Sequence, residues 1–561
     1  MENDKKENCL ILGITLLLVL SGIALRLYGL RTRNLEYDEI WTFAHYVKLP
    51  LREIFTELAV PNNHPLNTLF IKYSVRIAGA HQLLQLRLPA LLAGLFLLGG
   101  SWFALRRLTR STAGACFGML LLALNIPLIH YSQTARGYEL QALFTAGVML
   151  SLIFFELDRK SQYRRILWPA LFLISAVATC LSVTSGVIFV TALALSYVCL
   201  FTDFRKLTDM KEWLARKELL TAFFFFAVFV ILWYGLNYRT LAQGQSFGNT
   251  VTSPVKFLTF VWNTVTQLPL TLTIPAVLAA SVLLKDPFKR RIALMGLFST
   301  ALVFCSALIF KAGDFRVYIP LIPILAFPAA LIFESLTERL RRFSLLVFCL
   351  LTVIVVIQSN AQYPKMNPPD LGVVFVTAAQ AIPAEALVIY SPTDSYVIAS
   401  LFRKEFQMDQ LRRIKAAPVS LILMGDTDSI GIFQEWKSNT SACPVPANPL
   451  TRGNLAGEIA YSEYLLRPLQ SGESLKEKFL VVLIDEPTLE QFRRYLNFFK
   501  GQFQTANIFC FMTMGAGKTT ATPMSRTRVL LYQSPEQSVE QMLALQAERN
   551  SAIRFFVIGE K

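Results

Sequence analysis

The sequence predicts a polytopic α-helical membrane protein with a C-terminal soluble α/β domain. Three observations predict it. Of 561 residues, 54% are hydrophobic and 16% charged, and the apolar residues gather in long runs with no charge at their centres. Basic residues collect in short clusters beside alternate runs, the positive-inside pattern. Near residue 360 the composition turns to short β-rich runs interleaved with helical patterns.

Charge and cysteine usage narrow the class. Lys and Arg number 54 against 38 Asp and Glu, a net charge of +16. On a soluble chain that excess would suggest nucleic acid. Here membrane topology accounts for it, and no nucleic-acid partner is expected. The eight cysteines show no metal-ligand spacing. Cys443 and Cys510 lie in the polar C-terminal third and could pair in an oxidising compartment. Lys5 and Lys6 precede the first apolar run without a small-residue cleavage site, so the run reads as an uncleaved span.

The first span covers 9–30. In 31–86, Leu51, Ile54, Phe55 and Leu58 fall at helical spacing, with Arg52, Glu53 and Glu57 on the other face. Leu66, Leu69, Phe70, Tyr73 and Ile77 repeat the pattern, with Lys72 and Arg76 opposite. Both read as helices lying in the membrane interface. Further spans are expected at 87–105, 113–131, 137–157, 166–181, 183–201, 219–236, 257–284, 292–310, 316–334 and 343–358. Pro269 and Pro275 predict a tilt or kink in the run 257–284.

Basic clusters at 106–110, 159–165, 205–217, 285–291 and 339–342 set the topology. About eleven spans result, with the N-terminus cytoplasmic and the C-terminus outside. The predicted domains are a transmembrane domain over 1–360, a Pro-rich linker over 361–370 and an α/β domain over 371–561. Strands are expected at 386–390, 420–424, 479–484 and 529–532, and a helix at 489–499; the strand order is not legible. Gly515-Ala516-Gly517-Lys518-Thr519 imitates a phosphate-binding loop, but the pattern needs a glycine where Met512 stands, so nucleotide binding is not expected.

This topology gathers chemistry on the outer side. Glu36-Tyr37-Asp38-Glu39 follows the first span, and Asn62-Asn63-His64-Pro65-Leu66 comes one amphipathic helix later. Adjacent carboxylates disfavour each other's ionisation, which points to use, although Asp-Glu pairs also occur on ordinary loops. A carboxylate can act as general base, and its neighbour can orient it or help hold a metal. Tyr131-Ser132-Gln133-Thr134-Ala135-Arg136-Gly137-Tyr138-Glu139 and Lys311-Ala312-Gly313-Asp314-Phe315-Arg316-Val317-Tyr318 fall on the same side. Arg and Lys suit phosphate recognition, though Arg136 and Arg316 could equally anchor helix ends. His64 could donate to a phosphate, ligate a metal or cap a helix. Tyr131, Tyr138 and Tyr318 could belong to an aromatic belt.

The ordered set is span, Asp-Glu, amphipathic helix, His-Pro-Leu, amphipathic helix, Arg87-Leu88-Pro89-Ala90, then Tyr-Ser-Gln-x-Ala-Arg-x-Tyr. It resembles the GT-C glycosyltransferases of the protein O-mannosyltransferase and aminoarabinose transferase type. The resemblance covers 9–360 and is densest over 36–140, while 371–561 matches no known family.

The resemblance implies a GT-C-like fold with two interfacial helices in the first outer loop, in a bacterial inner membrane. It implies a polyprenyl-phosphate-linked sugar donor, a glycan, lipid or protein acceptor, membrane lipids as surroundings, and inversion of the anomeric centre. By motif position Asp38 resembles the general base or acceptor-orienting acid, and Glu39 its supporting partner. His64, Arg136, Lys311, Arg316 and Tyr318 fall at the donor phosphate. Tyr131, Gln133, Tyr138 and Glu139 are candidates for acceptor binding or support.

Two departures stand out. The second proline of the family's His-Pro-Pro-Leu is missing, and Thr134 stands where many members carry an acid, unless Glu139 substitutes. A divalent metal is therefore an open candidate, and no other cofactor is implied. A transporter of a lipid-linked substrate and a non-catalytic scaffold of a glycan-assembly complex are the competing readings. The charge-free span centres and the lack of an internal repeat weigh against the transporter.

Overall fold

A computed structural model describes residues 2–28, 30, 38–39, 42–47, 49–58, 62–78, 83–158, 161–202, 216–244, 251–310, 314–340 and 343–366, and six strands beyond. The chain divides into two compact units. The first comprises Met1–Leu30, His45–Gly79 and Leu84–Met366. The second comprises Arg31–Ala44, Ala80–Leu83 and Asn367–Lys561.

The first unit is helical, as a chain in lipid must be when each span has to satisfy its own backbone polar groups. Eight of its helices are long and apolar enough to cross a membrane, among the described residues. They are α1 (Glu2–Leu27), α4 (Leu83–Leu108), α7 (Tyr138–Leu157), α8 (Gln162–Ser182), α10 (Lys217–Leu236), α14 (Pro287–Phe310), α15 (Leu321–Arg339) and α16 (Ser344–Met366). Between them lie α2 (Leu51–Thr56), α3 (Pro65–Ala78), α5 (Thr112–Ala123), α6 (Ile126–Tyr131), α9 (Gly186–Phe201) and α11 (Tyr238–Gly244). The two amphipathic helices expected after the first span are α2 and α3.

Two expected spans are broken. The run 113–131 divides into α5 and α6 at Asn125, whose Oδ1 accepts from the Leu128 amide at 3.2 Å, with Pro127 in the first turn. The run 257–284 divides into α12 (Pro254–Gln267) and α13 (Leu270–Leu283), bent by 97°. The bend falls at Pro269, whereas Pro275 lies inside α13. Helix α16 braces this bend. Gln362 Nε2 donates to Thr266 O at 2.7 Å, and Gln358 Nε2 donates to Thr271 Oγ1 at 2.7 Å.

Helices α5, α7 and α15 carry most of the core. From Ala113 to Ala123 every residue of α5 is buried, and so is Leu321–Leu331 of α15. Phe117 stacks on Phe333 at 4.6 Å between ring centres. Helix α16 continues through Tyr363-Pro364, which the sequence reads as linker, to Met366.

In the second unit, β1 (Ala386–Tyr390), β2 (Ser420–Leu423), β3 (Phe479–Asp485), β4 (Thr505–Thr513), β5 (Arg528–Leu530) and β6 (Ala552–Glu560) form one mixed sheet in the order β2-β1-β3-β6-β4-β5. The β2-β1-β3 part is parallel, with Leu387 opposite Ser420 and Leu480. From β3 onward the pairs are antiparallel, with Val557 opposite Val482 and Ile508. Strands β4 and β6 were not expected. Both are nearly continuous apolar runs rather than alternating ones, as suits strands with neighbours on either side. The predicted helix 489–499, the loop 515–519 and Cys443 lie outside the described residues, as does the Cys510 side chain.

Candidate functional site

The site in the first unit is built around His64. Asn63 fixes the chain just before it, donating from Nδ2 to Ile54 O at 2.9 Å and Glu57 O at 2.7 Å and accepting from Thr68 Oγ1 at 3.2 Å. Pro65 then opens α3, whose Thr68 amide donates to His64 O at 2.8 Å. The fully buried His64 ring reaches the end of α8, where its Nδ1 lies 3.1 Å from Ser182 O. It thereby meets a carbonyl that the helix cannot satisfy itself.

Gly137 makes this approach feasible. A Cβ there would lie 2.2 Å from Ser182 O and 2.9 Å from His64 Cβ. No other residue fits without moving backbone.

The turn 132–137 presents the remaining side chains. The Tyr138 ring meets His64 edge-on at 5.1 Å and Tyr131 at 5.0 Å. The buried Arg136 guanidinium lies over the Tyr138 ring, 5.5 Å from its centre, with Nη2 3.4 Å from the Tyr138 hydroxyl. Burial, then the charge of Arg136 and also that of Arg316, hold the His64 imidazole well below its ordinary pKa, against the Ser182 hydrogen bond. His64, Arg136 and Arg316 are thus brought together, at the end of the unit where α7 begins and α8 ends.

Arg316 arrives from the 3-10 turn Phe315–Tyr318, capped by Asp314. Asp314 Oδ1 accepts from the Arg316 amide at 3.0 Å, and Oδ2 from Arg316 Nε at 2.7 Å. Tyr318 packs among Phe260, Phe304 and Phe189, with ring centres 5.0, 5.8 and 6.5 Å away. Burial, then Asp314, push its hydroxyl above the ordinary range. Those ring contacts anchor the turn that carries Arg316. Lys311 lies outside the described residues.

The other motif residues brace this turn. Gln133 Nε2 donates to Tyr28 O at 2.7 Å and to Leu25 O, capping α1. Thr134 Oγ1 donates to Tyr131 O at 3.3 Å within its own turn. Glu139 is fully buried and faces Arg26, in the last turn of α1. Both converge on Gly94, where a Cβ would lie 2.9 Å from Glu139 Oε1 and 3.4 Å from Arg26 Nε. Arg26 also donates to Ala123 O at 2.8 Å and Leu122 O at 3.2 Å, closing the end of α5. Gln141, one turn into α7, donates to Ser185 Oγ at 3.3 Å.

Asp38 and Glu39 belong to the second unit. They form a short helical turn in which Asp38 is half-buried and Glu39 fully buried. Thr42 Oγ1 donates to Asp38 O at 2.9 Å. Among the described residues no three metal-ligating acids, histidines or cysteines come together. The nearest charge to His64 is the buried Arg136 guanidinium, on the other side of the Tyr138 ring.

No family model matches the chain, and no curated protein matches it. Solved structures do resemble it. ArnT from Cupriavidus metallidurans in the apo state has a TM-score of 0.49 at 14% identity, over 90% of this chain and 96% of that one. The same protein bound to undecaprenyl phosphate has a TM-score of 0.47 at 15% identity, with the same coverage. The oligosaccharyltransferase AglB from Archaeoglobus fulgidus, in complex with an inhibitory peptide and a dolichol-phosphate, has a TM-score of 0.44 at 11% identity, over 93% of this chain and 75% of that one.

Proposed function

We propose that the chain is a membrane glycosyltransferase that moves a sugar from a polyprenyl-phosphate donor to a glycan, lipid or protein acceptor outside the cytoplasm, with inversion. The observation that carries this reading is the meeting of Arg136, Arg316 and His64 where the helices end. A lipid-borne phosphate enters from the membrane, and the buried Arg136 with the part-exposed Arg316 supplies the cations its headgroup requires.

Asp38 takes the proton from the acceptor hydroxyl or amine, with Glu39 supporting it. The acceptor atom bonds to the anomeric carbon as the bond from that carbon to the phosphate oxygen breaks. The electron pair leaves with the phosphate. Negative charge grows on the phosphate oxygens, and Arg136 and Arg316 stabilise it. Asp314 holds Arg316 in place and tempers its charge. Glu39, buried and adjacent to Asp38, is the kind of carboxylate a protein keeps for use. No step is routed through a metal. The membrane is a bacterial inner membrane, with the N-terminus cytoplasmic and residues 371–561 on the far side.

The test is Asp38→Asn, assayed for transfer from undecaprenyl-phosphoryl sugars. Transfer is expected to fall by roughly 1000-fold, with expression and thermal unfolding unchanged. Full activity in this variant removes Asp38 from the mechanism. One observation favours lipid translocation instead: broken helices such as α12–α13 recur in transporters. A reconstituted protein that moves a labelled lipid-linked sugar across vesicles, yet transfers no sugar, would decide for that reading.

A further inference from the structure

His64 holds a hydrogen-bonding group that the phosphate-handling role does not use. A carbonyl oxygen only accepts, so the 3.1 Å contact with Ser182 O places the imidazole proton on Nδ1. The neutral ring then offers Nε2 as a bare lone pair. That atom is buried, and no donor among the described residues reaches it. A buried acceptor left unsatisfied costs about 1–3 kcal/mol. Such a cost persists where a ligand supplies the missing donor.

The neighbours restrict what the ligand can be. A phosphate oxygen cannot serve, since an ionised phosphate only accepts at neutral pH. A metal ion would find the buried Arg136 guanidinium beside it, across the Tyr138 ring, and no cluster of three metal-ligating side chains among the described residues. The ring cannot easily turn to present a proton instead, because Gly137 and the Ser182 carbonyl hold one edge and Tyr138 lies against its face or rim at 5.1 Å. An O–H or N–H donor suits this acceptor, and a sugar joined to the phosphate of the proposed donor carries several.

We propose that His64 accepts, at Nε2, a hydrogen bond from a hydroxyl of the donor sugar, and so reads the sugar and not the phosphate. This assignment rests on the reading of the site as a polyprenyl-phosphate-sugar site, and it reverses the donor role that motif position implies for His64. Recognition by a buried polar group discriminates strongly, because a ligand lacking the hydroxyl leaves that group unpaired.

The test uses the full chain in nanodiscs. The probes are undecaprenyl phosphate and its glucosyl, mannosyl and 4-amino-4-deoxyarabinosyl phosphodiesters. In His64→Asn the amide nitrogen takes the place of Nδ1 and keeps the Ser182 contact, while the acceptor at Nε2 is gone. Wild type is expected to bind at least one sugar-bearing lipid more tightly than bare undecaprenyl phosphate. His64→Asn is expected to lose that advantage by about 10-fold and to bind the bare lipid within about twofold of wild type. Loss of bare-lipid binding with the sugar advantage intact overturns the inference, and so does a wild type that gains nothing from any of the three sugars. Failure of wild type to bind even the bare lipid overturns the donor reading and this inference together.

A second measurement does not depend on the variant folding. The chain has four histidines, and nitrogen-15 spectra of wild type at pH 7 report each tautomer. His64 is assigned by replacing the other three, one at a time. A protonated Nδ1 with a bare Nε2 is expected; a proton on Nε2 overturns the inference.

Discussion

Helix α7 is 20 residues long, so about 30 Å separates its two ends, and the two ends are built on opposite principles. At the Leu157 end four acids are paired with cations. Asp158 takes Arg107 at 2.5 Å, Arg164 at 3.0 Å and the Trp168 indole at 2.8 Å. Glu218 takes Arg165 at 3.0 Å, and Glu156 takes Arg216 at 3.4 Å. Glu334 takes Lys289 at 2.6 Å and the Arg110 amide at 2.6 Å. At the Tyr138 end, His64 Nε2, both Glu139 oxygens, Gln141 Oε1 and Arg26 Nε are buried without a hydrogen bond among the described residues. One end spends its polar groups on holding helices together. The other also ties helices together, through Gln133, Arg26 and Gln141, but leaves buried polar atoms unpaired around His64, as a binding site does.

That contrast can be broken at several points. Arg136→Gln should lower transfer from undecaprenyl-phosphoryl sugars by about 100- to 1000-fold, with the unfolding temperature within about 2 °C of wild type. An equal loss of stability would make Arg136 a structural residue like those at the far end. Gly137→Ala should cost about 1–3 kcal/mol in unfolding and lower transfer as well, because its methyl group meets the Ser182 carbonyl and His64 together. A neutral outcome would show that the two do not close on each other.

Asp158→Asn should do the reverse, losing about 1–3 kcal/mol of stability while transfer per folded molecule is unchanged. Burial raises the Asp158 carboxyl, but Trp168, Arg107 and Arg164 outweigh it and hold the group below its ordinary value of 3.8. Its contribution is therefore complete above the unfolded value and is lost as pH falls through the folded one. Thermal unfolding between pH 2 and 6 checks this, and Asp158→Asn should flatten the acid limb. The smallest effect concerns His64. Its folded pKa is depressed, so below the ordinary value of 6.5 the unfolded chain binds the proton that the folded chain refuses. Stability should fall as pH drops below 6.5, by at most about 1.4 kcal/mol per unit, and His64→Asn should remove that slope.

Much of the helical unit was legible because lipid leaves a chain few options. All eleven apolar runs correspond to helices, eight of them long single ones, one a bent pair and two shorter. The breaks were written less plainly. Asn125-Ile126-Pro127 is a cap signal inside an apolar run, and counting hydropathy passes over it. Strands β4 and β6 escaped because neither alternates. In the site, Arg136 and His64 were visible as motif letters, but the partner that sets the tautomer of His64 was not. Ser182 lies 118 residues away and contributes only a carbonyl, which every residue has. Gly137 was in view as part of the motif, yet its reason lies in what crowds it. Arg26 did carry a signal, since a cation at the outer end of the first span runs against the positive-inside pattern, but its partners lie far away in sequence.

The elbow between α12 and α13 changes how polarity in this membrane unit should be read. Breaking a helix exposes carbonyls that hydrocarbon cannot solvate, and Gln362 covers one of them from α16. Its amide is maintenance for a bent neighbour. Replacing it with leucine would look like an improvement to any hydrophobicity scale, and would leave the Thr266 carbonyl of the broken turn without that donor.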